Sequence, residues 1–272
     1  MSDDQRNEDS LPSSSHILAE VAELVRFFSR IPLPKLGSWD DLITAPDFRL
    51  RSRSIPLAGA VISLPSMLVL WLLSQSALPA AVVALIAVGV AAAVQGCLHE
   101  DGLSDVVDGF FGGHTAERRL EIMKDSRIGA FGTVALVLSL SLRWLLLATL
   151  LEAFGGFGAA LGYLAAETIG RVGMVWIWHT MPAAYQGGLS TRFGVPENIA
   201  VYWAGCFALP LIAVSLFYLS FWQVVIGAGV SFVLVWALAK LSLTKIKGIT
   251  GDVLGAAQQI GSLGFLLGVL SL

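Results

Sequence analysis

The chain has 272 residues, 56% of them hydrophobic and 14% charged, with a formal net charge of −3 and a mean hydropathy of +0.75. That balance excludes an ordinary soluble domain and indicates an all-α, polytopic membrane bundle. The slightly acidic net charge argues against nucleic acid as a partner. Cys97 and Cys206 sit in apolar stretches with neither a metal spacing nor a disulfide framework, and read as small membrane-packed side chains.

Residues 1–15 are polar and mostly acidic, with no basic segment leading into an apolar core, and read as a disordered tail. Residues 16–272 form one membrane-embedded domain. It opens on an amphipathic helix over 16–28, where Ile17, Leu18, Val21, Leu24, Val25 and Phe28 keep helical spacing around Glu20, Glu23 and Arg26, as suits a helix lying in the interface. Pro32 and Pro34 end it, and a polar linker closes with Arg49, Arg51 and Arg53.

Seven apolar runs then approach the ~20 residues a bilayer core requires, near 55–75, 79–98, 128–150, 157–179, 199–219, 222–241 and 253–271. The fifth and sixth are divided at Ser220-Phe221-Trp222 on length alone. Lys and Arg gather before the first span, after the second and fourth, and at the end of the sixth. The connections around 74–78, 152–156 and 220–221 carry none. The amino terminus is therefore expected in the cytoplasm, with every polar motif facing that side. Arg143 falls in the outer half of the third span, where snorkelling to the surface would accommodate it. Arg171 follows Glu167 by one turn in the fourth, and either a structural ion pair or a reach to a substrate phosphate would account for it.

The chemistry concentrates between the second and third spans. His99-Glu100-Asp101-Gly102-Leu103-Ser104-Asp105-Val106-Val107-Asp108-Gly109 places Asp101, Asp105 and Asp108 at i, i+4 and i+7, within about 60° on one helix face. Three carboxylates so close repel one another unless a cation intervenes. A hard ion such as Mg²⁺ is typically held by carboxylates together with substrate phosphates. Next comes a basic stretch in which Arg118, Glu121 and Asp125 share a helical face, accompanied by Arg119, Lys124 and Arg127. An acidic cluster beside a basic one suits a metal-bound diphosphate, although each basic residue could equally be a positive-inside anchor. Before the last span, Thr250 can cap the helix and Asp252 suits its positive end; Asp252 could also enter the site from across the bundle.

Taken together these segments resemble the cobalamin synthase family, adenosylcobinamide-GDP ribazoletransferase. The resemblance rests on His99–Asp105 with Asp108-Gly109, on Arg119-Leu120-Glu121-Ile122-Met123-Lys124-Asp125-Ser126-Arg127-Ile128-Gly129, and on Thr250-Gly251-Asp252 with Leu254-Gly255-Ala256. Arg30-Ile31-Pro32-Leu33-Pro34 and Pro56-Leu57-Ala58-Gly59 are weaker echoes. Ser104 and Glu100 depart from the usual alanine and leucine.

The resemblance implies a Mg²⁺-dependent transferase of a substituted phosphate group, acting in the last assembly step of cobalamin synthesis. The ribose 5′-hydroxyl of α-ribazole, or the 5′-phosphate of its phosphorylated form, would attack adenosylcobinamide-GDP and displace GMP. Asp101, Asp105 and Asp108 would hold the metal. With Asp125 they form the catalytic set, in which Asp108 or Asp125 could accept the hydroxyl proton. His99, Arg118, Arg119, Lys124, Arg127, Arg171 and Asp252 would bind substrate. Further partners implied are the bilayer of the bacterial inner membrane, a second copy of the chain or other cobalamin-biosynthesis proteins. A CDP-alcohol phosphotransferase is the nearest enzyme alternative, but its Ala-Arg pair after the first Asp-Gly is absent. A cation-coupled transporter would place its carboxylates near the midplane.

Overall fold

The computed structural model describes residues 14–37, 46–188 and 192–272. The expected acidic tail therefore lies outside the described residues except at its end, where α1 (Ser14–Phe28) begins. Ala22, Leu24, Val25 and Phe28 of α1 are buried while Leu18 is exposed, so the amphipathic helix packs its apolar face onto the bundle. Ser29 closes the helix by donating its hydroxyl to the Val25 carbonyl. Arg53 donates to both oxygens of Glu20, and Arg51 pairs with Glu23. These arginines, which close the polar linker before the first span, fasten α1 to the turn between α2 (Phe48–Arg51) and α3 (Ile55–Leu73).

Helix α4 (Ala80–Gln95) leads into α5 (Leu98–Gly112) through two left-handed residues, Gly96 at φ 61° and Cys97 at φ 56°. Glycine tolerates that conformation and ends helices readily; cysteine does so only under tertiary constraint. The two helices meet at an 88° bend, so α5 runs across the end of the bundle instead of continuing along it. Cys97 is exposed at this corner, not packed in an apolar span as expected. A short α6 (Ala116–Met123) follows, capped by the Thr115 hydroxyl accepting from Arg118 N.

Segment α7 (Ala130–Thr180) is two helices that meet at Gly155, whose φ of 70° and ψ of 176° are not helical. Arg143 reaches Glu167 at 2.7 Å, although 24 residues of straight helix would separate them by about 36 Å. The chain thus doubles back into two arms, as the two expected spans require. Helix α8 (Asn198–Ala213) continues into a 3₁₀ turn over Val214–Phe217. Helix α9 (Phe221–Ile246) starts where length alone suggested, and the local reason is a capping box between Ser220 and Gln223. Helix α10 (Gly251–Val269) ends the fold.

Among the described residues, five helical segments are long and apolar enough to cross a membrane by themselves, α7 among them, and α4 with α5 is a bent sixth candidate. The protein is a multi-pass helical bundle. Its centre is α10: 83% of its membrane-length window is buried, against 22% for Asn198–Phe217. Small residues let α10 sit there. A Cβ on Gly170 would lie 2.5 Å from the Gln258 carbonyl, and one on Gly268 would lie 2.6 Å from the Gly227 Cα, so backbones of α7, α9 and α10 touch directly.

Candidate active site

The 88° bend sets the site. Turning α5 across the bundle end brings its aspartate face against the first turn of α10, and Gly102 permits the contact, since a Cβ there would fall 2.9 Å from the Asp252 carbonyl oxygen. Asp252, held by the Thr250 hydroxyl at 3.1 Å, therefore joins the acidic cluster from the opposite side of the bundle. Asp101 is exposed and Asp105 half-buried. Burial pushes the Asp105 carboxyl up to about 7, and the charges of Asp101, Asp252 and Asp108 push it the same way. Asp101, Asp105, Lys124 and Asp125 line one cleft of about 300 Å³. Asp125 is shared with a neighbouring cleft holding Asp108, Arg118, Glu121 and Arg127.

Asp108 differs from its two neighbours. It is buried, and its carboxylate accepts from Gly129 N at 2.7 Å and Gly132 N at 2.9 Å. It caps the amino terminus of α7, where backbone donors are otherwise unpaired. A Cβ on Gly129 or Gly132 would come within 2.4 Å of its carboxylate oxygens, so those glycines clear the space for it. Asp108, expected as a metal ligand beside Asp101 and Asp105, thus also ties α7 to α5.

The basic residues also divide. Arg119 donates to the carbonyls of Gly113 and Lys245, holding α6 against the end of α9. Those contacts engage its Nε and Nη1, two of the donors expected to meet phosphate. Arg118 pairs with Glu121 at 2.9 Å, and Arg127 grips Asp125 through two nitrogens, both pairs exposed. Hydrogen bonds from the Arg127 side chain, then from its backbone, hold the Asp125 carboxyl down at about 2. Lys124 lies 4.1 Å from the centre of the Tyr185 ring. The Tyr185 loop is fixed by Ala184 N donating to Ile249 O and Ile249 N donating to Pro182 O. Sequence periodicity carried no sign of Tyr185, because a loop from beyond the fourth span brings it there.

Behind the acidic face lies a buried polar network. Glu167 accepts from Arg143, Arg171, Gln258 and Ser262. Arg143 also donates to Gln259 Oε1, and Gln259 in turn to Glu100. Arg143 is buried and paired, so the snorkelling expectation fails: the hairpin at Gly155 supplies a partner that a single-helix reading cannot see. Arg171, 1% exposed, spends its donors on Glu167 and Gln95. Of the two accounts open to it from the sequence, the ion pair is the contact it makes here. His99 is buried beside this network, its Nδ1 3.1 Å from Gln95 Oε1. Burial first, and Arg171 next, lower its pKa to about 3, leaving a neutral ring.

The sequence model of the family described as cobalamin-5-phosphate synthase matches residues 20–270. The chain belongs to the cobalamin-5-phosphate synthase family. The adenosylcobinamide-GDP ribazoletransferases of Brucella ovis, Brucella canis and Brucella suis are each 40% identical over 256 residues, covering 93% of this chain and 97% of theirs. No solved structure matches the chain. Likeness over nearly the whole chain, spans included, separates the cobalamin-5-phosphate synthase assignment from the phosphotransferase and transporter alternatives, which rested on the acidic segment alone.

Within this family member, no group of three His, Cys, Asp or Glu side chains among the described residues is arranged to enclose a metal ion. A Mg²⁺ site need not be so enclosed, since one or two carboxylates plus substrate phosphates are its common setting. Asp101 and Asp105, sharing a cleft in which burial first and the Asp101 charge next raise Asp105, fit such a half-site. Glu100, a departure from the family's usual leucine, finds its explanation in the Gln259 contact.

Proposed function

We propose that the chain joins adenosylcobinamide-GDP to α-ribazole, or to its 5′-phosphate, and releases GMP, the last assembly step of cobalamin synthesis. The carrying observation is the gathering of Asp101, Asp105, Lys124 and Asp125 in one cleft at the end of a membrane bundle. A diphosphate ester needs both signs of charge there. In the simplest scheme the acceptor oxygen forms a bond to the cobinamide-bound phosphorus, the anhydride bond to GMP breaks, and GMP leaves with that electron pair, the proton of a hydroxyl acceptor ending on the GMP phosphate or in water.

Asp101 and Asp105 would hold Mg²⁺, which when bound neutralises phosphate charge. Lys124, Arg127 and Arg118 complement the remaining oxygens from α6 and the loop after it. Of the two carboxylates considered as bases, neither suits the role. Asp108 is occupied by two backbone N–H groups, and Asp125 is held near 2 by Arg127, too acidic to accept a hydroxyl proton well.

The active end faces the cytoplasm of the bacterial inner membrane in this proposal. Seven passes are counted, with α4 as one and the two arms of α7 as two. Arg119 and Lys245 meet at the active end, whereas the opposite end brings together Ser74, Gly156 and Tyr218, from connections free of Lys and Arg. Reporter fusions after Arg127 and near Glu152 should read cytoplasmic and external; a cytoplasmic reading at Glu152 would overturn the orientation. Function is tested by incubating the purified protein with adenosylcobinamide-GDP, α-ribazole and Mg²⁺. Equimolar GMP and cobalamin are expected, and no GMP under those conditions would sink the assignment.

A further inference from the structure

Among the basic side chains of α6 and the loop after it, Lys124 stands apart. Arg118 is paired with Glu121 and Arg127 with Asp125, and Arg119 is spent on backbone carbonyls. Lys124 lines the same cleft as Asp101, Asp105 and Asp125, yet forms no ion pair among the described residues. Lysine carries a compact charge on a flexible stem. An unrestrained ammonium beside those carboxylates would fold onto them, cancelling its own charge and closing the cluster to a metal.

What restrains it is Tyr185, whose ring centre lies 4.1 Å from Lys124 Nζ. The tyrosine is half-buried, and its loop is pinned to the segment before α10. Ala184 N donates to Ile249 O and Ile249 N to Pro182 O, each at 2.9 Å. Gly248 clears the space for that pairing, since a Cβ there would fall 2.5 Å from the Pro182 carbonyl oxygen. The pinning segment runs on through Thr250 into the first turn of α10, which carries Asp252. One piece of backbone thus locates both the ring and the α10 carboxylate. An aromatic face attracts an ammonium through its quadrupole and, unlike a carboxylate, leaves the charge uncancelled.

We propose that Tyr185 is a positioning residue for the transfer: its ring holds the Lys124 ammonium on the cleft wall, away from Asp101 and Asp105. The carboxylates then stay open to a divalent cation, and the ammonium stays charged for a substrate phosphate. The proposal rests on the ribazole-transfer reading.

Two variants and one background test it. Tyr185→Leu removes the aromatic face, whereas Tyr185→Phe keeps it. The KM for adenosylcobinamide-GDP should rise about 5-fold in Tyr185→Leu and return to within about twofold of wild type in Tyr185→Phe. In a Lys124→Met background Tyr185→Leu should add nothing, because the ring then has no cation to hold. A loop damaged by the substitution would show the same added loss in both backgrounds. That additivity would overturn the positioning role, as would an unchanged KM in Tyr185→Leu or a Tyr185→Phe variant as impaired as Tyr185→Leu. If Tyr185→Leu fails to fold, Tyr185→Gln, flat but without an aromatic face, takes its place. Equilibrium dialysis of GDP with Mg²⁺ separates this proposal from the reading beneath it. Binding by wild type that Tyr185→Leu weakens and Tyr185→Phe restores supports the role of the ring even where GMP release fails. The same result in all three proteins rejects it.

Discussion

Inside the bundle, Glu167 is wrapped by two arginines, a glutamine and a serine, all buried. At the bundle end, no Lys or Arg among the described residues forms an ion pair with Asp101 or Asp105, and Asp105 is raised by burial and then by its acidic neighbours. The two regions use the same residue types under opposite conditions. In a low-dielectric interior an unpaired charge is too costly to keep, so the inner charges are closed against each other and hold α7 to α10. At the rim, water screens the repulsion, and an incompletely satisfied cluster can await a cation and a polyanion. Asp108 stands between the two, an acidic residue of the α5 face that has been drawn into capping α7.

If that division is right, its inner half should fail as structure. Glu167→Gln leaves two guanidiniums without a buried counter-charge and should cost about 3–5 kcal/mol of stability, seen as a large fall in thermal midpoint in detergent. An unchanged midpoint would remove the network from its structural role.

The rim should fail as chemistry instead. Asp101→Asn and Asp105→Asn should each lower turnover at least ~100-fold while the thermal midpoint holds or rises, because repulsion is relieved. Asp108→Asn should do some of both: an amide N–H₂ set against two backbone donors would destabilise by about 1–2 kcal/mol, a signature that neither neighbour shows.

The smallest effects belong to the exposed basic residues. Arg127→Lys keeps charge and topology but loses the forked donor geometry, and turnover should drop about 10-fold with stability unchanged. Lys124→Arg, measured beside it, should be milder. Wild-type kinetics for Arg127→Lys would return that residue to membrane anchoring.

Much of this was legible in one dimension where the pattern is local. The aspartate face follows from i, i+4, i+7 spacing, the turn between the α7 arms from the break in the apolar run around Glu152, and the last cap from Thr250. The start of α9 has its own signal in Ser220 and Gln223, a capping box beyond what span length gives. What stayed hidden depends on which segments meet. Nothing within the third span reveals that Arg143 faces Glu167, because their approach requires the chain to double back at Gly155. Likewise, Gly129 and Gly132 show why Asp108 is occupied only once α7 is seen to begin against α5. Glu100 looked like a neutral departure from a family pattern until α10 brought Gln259 to it.

The most direct test of the contrast between inner and outer charge is GMP release per folded molecule, measured for Asp105→Asn and wild type in the same detergent with α-ribazole, adenosylcobinamide-GDP and Mg²⁺. The account predicts a variant at least as heat-stable as wild type that releases GMP at least ~100-fold more slowly. A destabilised variant that turns over normally once corrected for folded protein would contradict it.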